Sequence, residues 1–256
     1  MATAIPFSLY YGEGDLYPLI LSSLTTLFFG LIIKLRTQKH KNDEVKKREG
    51  YLIVAFGWLA MTIFGSLPYV FSNAIPDYTN AFFETISGLT TTGASILNDI
   101  ESVPKGILFW RSMTQWIGGM GIIVLTIAIL PLLGVGGMEL FASESPGPTK
   151  DKIHPRIKET AKRLWLIYFS LTAIQCVLLL FGGMDFYDAI NHSLTTMSTG
   201  GFSTKQASIG HFDSAYIQYV VILFMFLAGT NFTLLYFGFK LNFKKFWIND
   251  EFKWYV

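Results

Sequence analysis

Two short segments carry residues whose types and spacing suit one kind of chemistry. Thr90-Thr91-Thr92-Gly93-Ala94-Ser95 and Ser198-Thr199-Gly200-Gly201-Phe202-Ser203-Thr204 share a core of a hydroxyl residue, then Thr, then Gly. The chemistry they offer belongs to the backbone. Glycine at 93 and 200 permits angles that turn successive carbonyls inward, and a ring of carbonyls replaces the hydration shell of a bare cation such as potassium. Small hydroxyl side chains pack the outer wall of such a loop without filling its mouth. The shared core itself is Thr91, Thr92 and Gly93 in the first segment and Ser198, Thr199 and Gly200 in the second. A single Thr-Gly pair reads equally well as a helix C-cap with glycine at the cap. Two pairs at matching positions favour the cation site.

The elements that must position these loops are helical. Each loop follows an apolar stretch of about a dozen residues, Tyr78 to Leu89 and Tyr187 to Met197, too short to cross a bilayer, which takes roughly 20 residues of helix. A short helix ending at the midplane of a membrane aims its unpaired carbonyls and the negative end of its dipole at whatever lies beyond, and a cation is the natural occupant. Five longer runs are predicted to span: Leu16 to Leu35, Tyr51 to Ser72, Gly106 to Leu133, Leu164 to Gly182 and Ser214 to Phe239. The order span, short helix, loop, span occurs twice, an internal repeat.

Composition supports a lipid setting. Of 256 residues 51% are hydrophobic, 16% aromatic and 15% charged, with a mean hydropathy of +0.41. Soluble domains carry about 25% charged residues, so an ordinary soluble fold and disorder are both excluded. A net charge of +2 supplies no field to hold nucleic acid. The single Cys176 excludes an internal disulfide and a cysteine zinc cluster, and in its apolar run it reads as packing. The sequence has no HExxH, GxSxG or phosphate-loop pattern, so enzyme chemistry has no foothold.

Basic residues set the expected orientation. Seventeen of the twenty lie in three groups, Lys34 to Arg48, Lys150 to Arg163 and Lys240 to Lys253, which the positive-inside rule places in the cytoplasm. Lys105, Arg111 and Lys205 are left beside the loops, which then lie outside together with Asp77, Asp99, Glu101, Asp185 and Asp213. These carboxylates either draw cations towards the loops or simply solvate them. Arg111, near the outer end of its span, is expected to snorkel to the interface. Glu84 within the first short helix either faces water near the entrance or is hydrogen-bonded in the bundle, and the structural role is favoured. His192 is expected to anchor its loop by a hydrogen bond, and Gly118, Gly119 and Gly121 to allow close helix packing.

Three longer motifs carry a family resemblance. They are Glu84-Thr85-Ile86-Ser87-Gly88-Leu89-Thr90-Thr91-Thr92-Gly93-Ala94, Arg111-Ser112-Met113-Thr114-Gln115-Trp116-Ile117-Gly118-Gly119-Met120-Gly121, and Asn191 through Thr204. Together with Leu132 to Met138 and Glu144 to Pro148, they resemble the TrkH branch of the Trk/Ktr potassium-uptake family. The resemblance implies an all-α integral membrane protein of the bacterial inner membrane, with four pore-loop repeats around one potassium pathway. It further implies that the six loop residues above lend carbonyls to a K+ filter, and that partners include a second full-length subunit and a cytoplasmic nucleotide-binding regulatory subunit. On that pattern the chain divides into an N-terminal extension (1–50), a first repeat (51–134), a cytoplasmic linker (135–163), a second repeat (164–240) and a link (241–256) to a third repeat that this chain lacks. It is therefore expected to be the front half of a longer protein, the alternative being a half-size subunit that pairs with a second copy. Whether transport is channel-like or coupled to protons or sodium leaves no local motif.

Overall fold

The apolar runs fold as helices. In the computed structural model, which describes residues 1–38, 47–133, 153–242 and 244–256, all regular secondary structure is helical. The helices are α1 (Ile5–Tyr11), α2 (Leu16–Thr37), α3 (Lys47–Gly65), α4 (Leu67–Phe71), α5 (Tyr78–Leu89), α6 (Lys105–Leu133), α7 (Ile153–Phe181), α8 (Phe186–Met197), α9 (Ala215–Gly229), α10 (Phe232–Phe239), α11 (Lys244–Ile248) and α12 (Asp250–Tyr255). The family motifs within 134–152, and the basic residues Lys39, Lys41, Lys46, Lys150 and Lys152, lie outside the described residues.

Among the described residues three stretches are long and apolar enough to cross a membrane: Leu16–Thr37, Leu52–Phe71 and Ala161–Phe181. α6 has 29 residues and so reaches about 43 Å at 1.5 Å per residue. The fifth expected span is not one helix. It stops at Gly229, Thr230 adopts extended angles, and the chain restarts at Phe232. Hydropathy runs unbroken through this point, but Gly229 has the Tyr255 ring against it, and the Tyr255 hydroxyl donates to the Phe226 carbonyl at 3.1 Å. Asn231 turns its side chain to Glu251, at 3.1 Å. The second span bends near Ser66, because Pro68 in the first turn of α4 has no amide to give back to the preceding turn.

The chain forms two compact units. The first comprises Met1–Gln115 with Phe202–His211, the second Trp116–Gly201 with Phe212–Val256. In the first, α5 packs against α3 and α4, and α2 against α1 and α4. The start of α6 is capped from a distance. Asp15 takes the Ile107 amide at 3.1 Å and the Ser8 hydroxyl, and Glu13 takes the Lys105 amide at 2.5 Å. These are first-turn donors that have no partner within their own helix. Gly106 leaves room for the Asp15 carboxylate, which a Cβ there would strike. Asp15→Ala is expected to leave buried donors unpaired, at a cost of about 1–3 kcal/mol. Thermal unfolding in detergent should show a midpoint several degrees lower; an unchanged midpoint would remove the cap from the fold's supports.

In the second unit α7 packs along α8, with α9 and α10 against α7. Its core is aromatic around Trp116, whose ring lies 5.5 Å from Tyr168 and 5.7 Å from Trp165, and whose indole N–H donates to Thr172 at 3.1 Å.

Candidate cation-binding loops

The two short helices use the same start and the same finish. α5 begins at Asp77, whose carboxylate accepts the Asn80 amide at 3.1 Å, and α8 at Asp185, which accepts the Tyr187 amide at 3.0 Å. Two of the five carboxylates expected on the outer side are thus helix caps. Glu101 accepts the Gln206 amide at 3.3 Å, and Asp99 that of Ser102 at the same distance.

Both helices end in a Schellman turn with an unusual occupant. Thr90 caps α5; the Thr91 amide then bonds the Gly88 carbonyl at 2.9 Å, and the Thr92 amide the Ser87 carbonyl at 3.0 Å. Ser198 caps α8; the Thr199 amide bonds Thr196 and the Gly200 amide Thr195, both at 2.9 Å. The left-handed position after the cap, where glycine is usual, holds threonine in both cases, with φ of 55° at Thr91 and 56° at Thr199. A β-branched residue in that region is a true outlier; it costs on the order of 1–3 kcal/mol and persists only where its surroundings enforce it. Glycine follows two residues later, Gly93 at φ 75° and Gly201 at φ 80°. The plain glycine C-cap is therefore not what the loops form.

The amides fix where the carbonyls go. Gly93 also points its N–H at the Ser87 carbonyl, and Gly201 at that of Thr195, each at 3.4 Å. The peptides are all trans, so each carbonyl is opposed to the amide it shares a plane with. Because the amides of residues 91, 92 and 93 face back to α5, the carbonyls of Thr90, Thr91 and Thr92 face away from it. By the same reasoning the carbonyls of Ser198, Thr199 and Gly200 face away from α8. Three successive carbonyls per loop, beyond a helix C-terminus, make a negative surface suited to a cation.

Counting from the helix ends also sets the correspondence between loops. Thr90 matches Ser198, Thr91 matches Thr199, Thr92 matches Gly200 and Gly93 matches Gly201. This is one residue away from the pairing that the letters Thr-Gly give. Thr90 and Gly201 were not among the residues picked from sequence. The clue was the common end of the two apolar stretches, at Leu89 and Met197.

Hydroxyls and one ion pair hold the loops from behind. The Ser87 hydroxyl donates to the Ala94 carbonyl at 2.6 Å, and the Thr90 and Thr92 hydroxyls lie 2.8 Å apart. Glu84 accepts the Ser95 hydroxyl and the Ile96 amide, both at 2.9 Å, and the Arg111 Nε at 2.7 Å. Arg111 does not snorkel. Its side chain is 3% exposed, its Nη1 donates to the Ser203 carbonyl at 3.0 Å, and its guanidinium carbon stands 3.6 Å from the Phe202 ring centre. A buried carboxylate within reach outweighs the pull of water at the interface. Gln115 Oε1 accepts the Phe202 amide at 3.0 Å. Gly88 lets α5 approach closely: a Cβ there would collide with the Thr114 hydroxyl and come within 3.3 Å of Phe202.

In the second unit the Nδ1 of His192 lies 2.8 Å from the Asp188 carbonyl one turn earlier in α8, a contact within the helix and not to the loop, and the ring meets Phe212 edge-on at 5.5 Å. Gly119 is the close-packing glycine, its Cβ position 3.0 Å from Ser198 Cα and 2.9 Å from the Tyr168 hydroxyl. Among the described residues no cluster of three His, Cys, Asp or Glu side chains that could hold a metal ion occurs.

Known proteins are similar to this chain. The family model described as "TrkH: Cation transport protein" matches residues 21–254. The Trk system potassium uptake protein TrkH of Escherichia coli (strain K12) is 47% identical over 256 residues, covering 97% of this chain and 52% of its own length. TrkG of the same organism is 38% identical over 232 residues, covering 90% and 47%. The crystal structure of the potassium transporter TrkH from Vibrio parahaemolyticus aligns with a TM-score of 0.85 at 39% identity, over 98% of this chain and 51% of that one. The chain spans about half the length of the curated relatives it matches. With apolar helices of spanning length and a family match over most of its residues, the chain belongs to the TrkH family of cation transport proteins, multi-pass proteins of the bacterial inner membrane.

Proposed function

We propose that the chain is the potassium-conducting front half of a Trk-type uptake subunit, and that its two loops lend backbone carbonyls to the filter. The observation that carries this reading is the turning of three successive carbonyls away from each short helix by amides bound to Ser87, Gly88, Thr195 and Thr196. Thr91, Thr92, Gly93, Ser198, Thr199 and Gly200 remain the proposed filter residues, joined by Thr90 and Gly201 from the register of the helix ends. A pathway walled by carbonyls on all sides needs more loops than two, so the proposal includes two further repeats, supplied by the rest of a longer chain. A second copy of this chain is the other possible source. A regulatory nucleotide-binding subunit and a dimer of full-length subunits belong to the same proposal, by likeness to the family.

The test is rubidium and potassium uptake by cells that lack other potassium systems. Expression of the natural-length protein should restore growth at low potassium, with rubidium uptake inhibited by potassium and not by equal sodium. Growth no better than the empty cells, with the protein at the surface, would refute the reading.

Orientation has its own check. In a Cys176→Ser background, Asn98→Cys should react with an impermeant thiol reagent added outside intact cells, whereas Arg36→Cys should be shielded. The opposite pattern would invert the topology.

A further inference from the structure

We propose that Glu84 and Arg111 are positioning residues for ion selectivity, a buried clamp that holds the backbone just beyond both loop glycines. The proposal rests on the filter reading above. Its basis is where the pair's hydrogen bonds go. An ion pair that merely joined α5 to α6 would spend its donors and acceptors between those helices. Here Glu84 spends one oxygen on the Ile96 amide, three residues past Gly93, and the other on the Ser95 hydroxyl and Arg111. Arg111 spends its Nη1 on the Ser203 carbonyl, two residues past Gly201, and sets its guanidinium carbon over the ring of Phe202, one residue past it.

The side chains are 0% and 3% exposed. Removing two charges from water is costly, and an apolar pair of equal volume often supports a fold as well or better. What the apolar pair lacks is direction. Arginine presents donors on a rigid planar fork, so bonding Glu84 through Nε and Ser203 through Nη1 fixes the two backbone segments relative to one guanidinium. Lysine carries the charge on a flexible stem and has no such fork. The clamp therefore serves carbonyl coordination by holding the backbone that follows each loop, while each loop carries a strained threonine. Residues placed for this purpose should govern which ion passes more than whether the protein folds.

The experiment compares potassium and sodium uptake by the natural-length protein, normalised to surface protein, in four variants beside the parent. Arg111→Lys retains the charge opposite Glu84 and loses the bond to Ser203; the potassium to sodium ratio should fall about tenfold, the loss of one charge-assisted hydrogen bond. Ser95→Ala removes one exposed donor and should fold normally, with a ratio about three to five times lower. Glu84→Gln should fall at least as far as Arg111→Lys, and Glu84→Gln with Arg111→Gln should recover part of the ratio, since no charge is then left unpaired. Gly93→Ser reports on the filter itself. A parental ratio in both Arg111→Lys and Ser95→Ala, with a collapsed ratio in Gly93→Ser, would overturn the clamp and leave the filter standing. A parental ratio in Gly93→Ser as well would overturn the filter, and the clamp with it. Reduced surface amount with an intact ratio would also overturn the clamp, since that is the signature of a purely structural pair.

Discussion

Gly119→Ala is expected to cut rubidium uptake per surface molecule about 5- to 150-fold, the consequence of forcing a methyl group into a packed site at about 1–3 kcal/mol. The new Cβ would stand 3.0 Å from both Cα and Cβ of Ser198 and 2.9 Å from the Tyr168 hydroxyl. Tyr168 has little freedom to retreat, since its hydroxyl donates to the Trp116 carbonyl at 3.0 Å and its ring packs on Trp116. The yielding element is then the backbone at Ser198, the cap from which the second loop starts. Gly57→Ala is the matched control: it lies in α3 with nothing within 4 Å of the added carbon, and should gain about 1 kcal/mol of helix stability without changing uptake. Parental uptake by Gly119→Ala would show that the loop tolerates displacement and would sink the packing argument.

Gly93→Ala and Gly201→Ala should each lower potassium to sodium discrimination about five- to thirtyfold, whereas Gly200→Ala should stay within about twofold. A side chain held at left-handed angles costs roughly 1–2 kcal/mol, which is the source of that range. Gly93 and Gly201 have φ of 75° and 80°, and Gly200 is not among the positive-φ residues. Gly201 is the clean case, because no atom lies within 4 Å of its Cβ position, and any effect there is backbone strain alone. Ion competition on the three variants decides the loop register. Sensitivity at Gly200 with indifference at Gly201 would restore the pairing by letters.

That register shows what the sequence could and could not convey. The short helices were legible to within a residue, because an apolar stretch bounded by Asp77 or Asp185 and a run of Thr, Ser and Gly leaves little choice of ends. The letters of the loops were less informative than the ends of the helices. Two adjacent glycines at 200 and 201 offer two alignments to Gly93, and only hydrogen bonds to Ser87 and Thr195 separate them. Arg111 was misread for a related reason. Sequence shows a lone cation near the end of an apolar span, while its partner Glu84 lies 27 residues earlier on another helix. The break after Gly229 was invisible to hydropathy, which measures what the solvent sees and not what the backbone does. Threonine at the left-handed positions contradicts local preference outright, as functional loops often do.

The distant cap on α6 bears on how the protein is made. Glu13 and Asp15 precede the amides they satisfy by 92 residues. At about 5–20 residues per second, a ribosome takes roughly 5–20 s to bring those partners into existence after the carboxylates have emerged. During that interval the two acidic side chains wait without these partners. Once Lys105 and Ile107 arrive, the closing of a long loop delivers the first segment and the third in one step. The contacts of Glu13 and Asp15 with the first turn of α6 are thus set early in synthesis and can close only once α6 has been made.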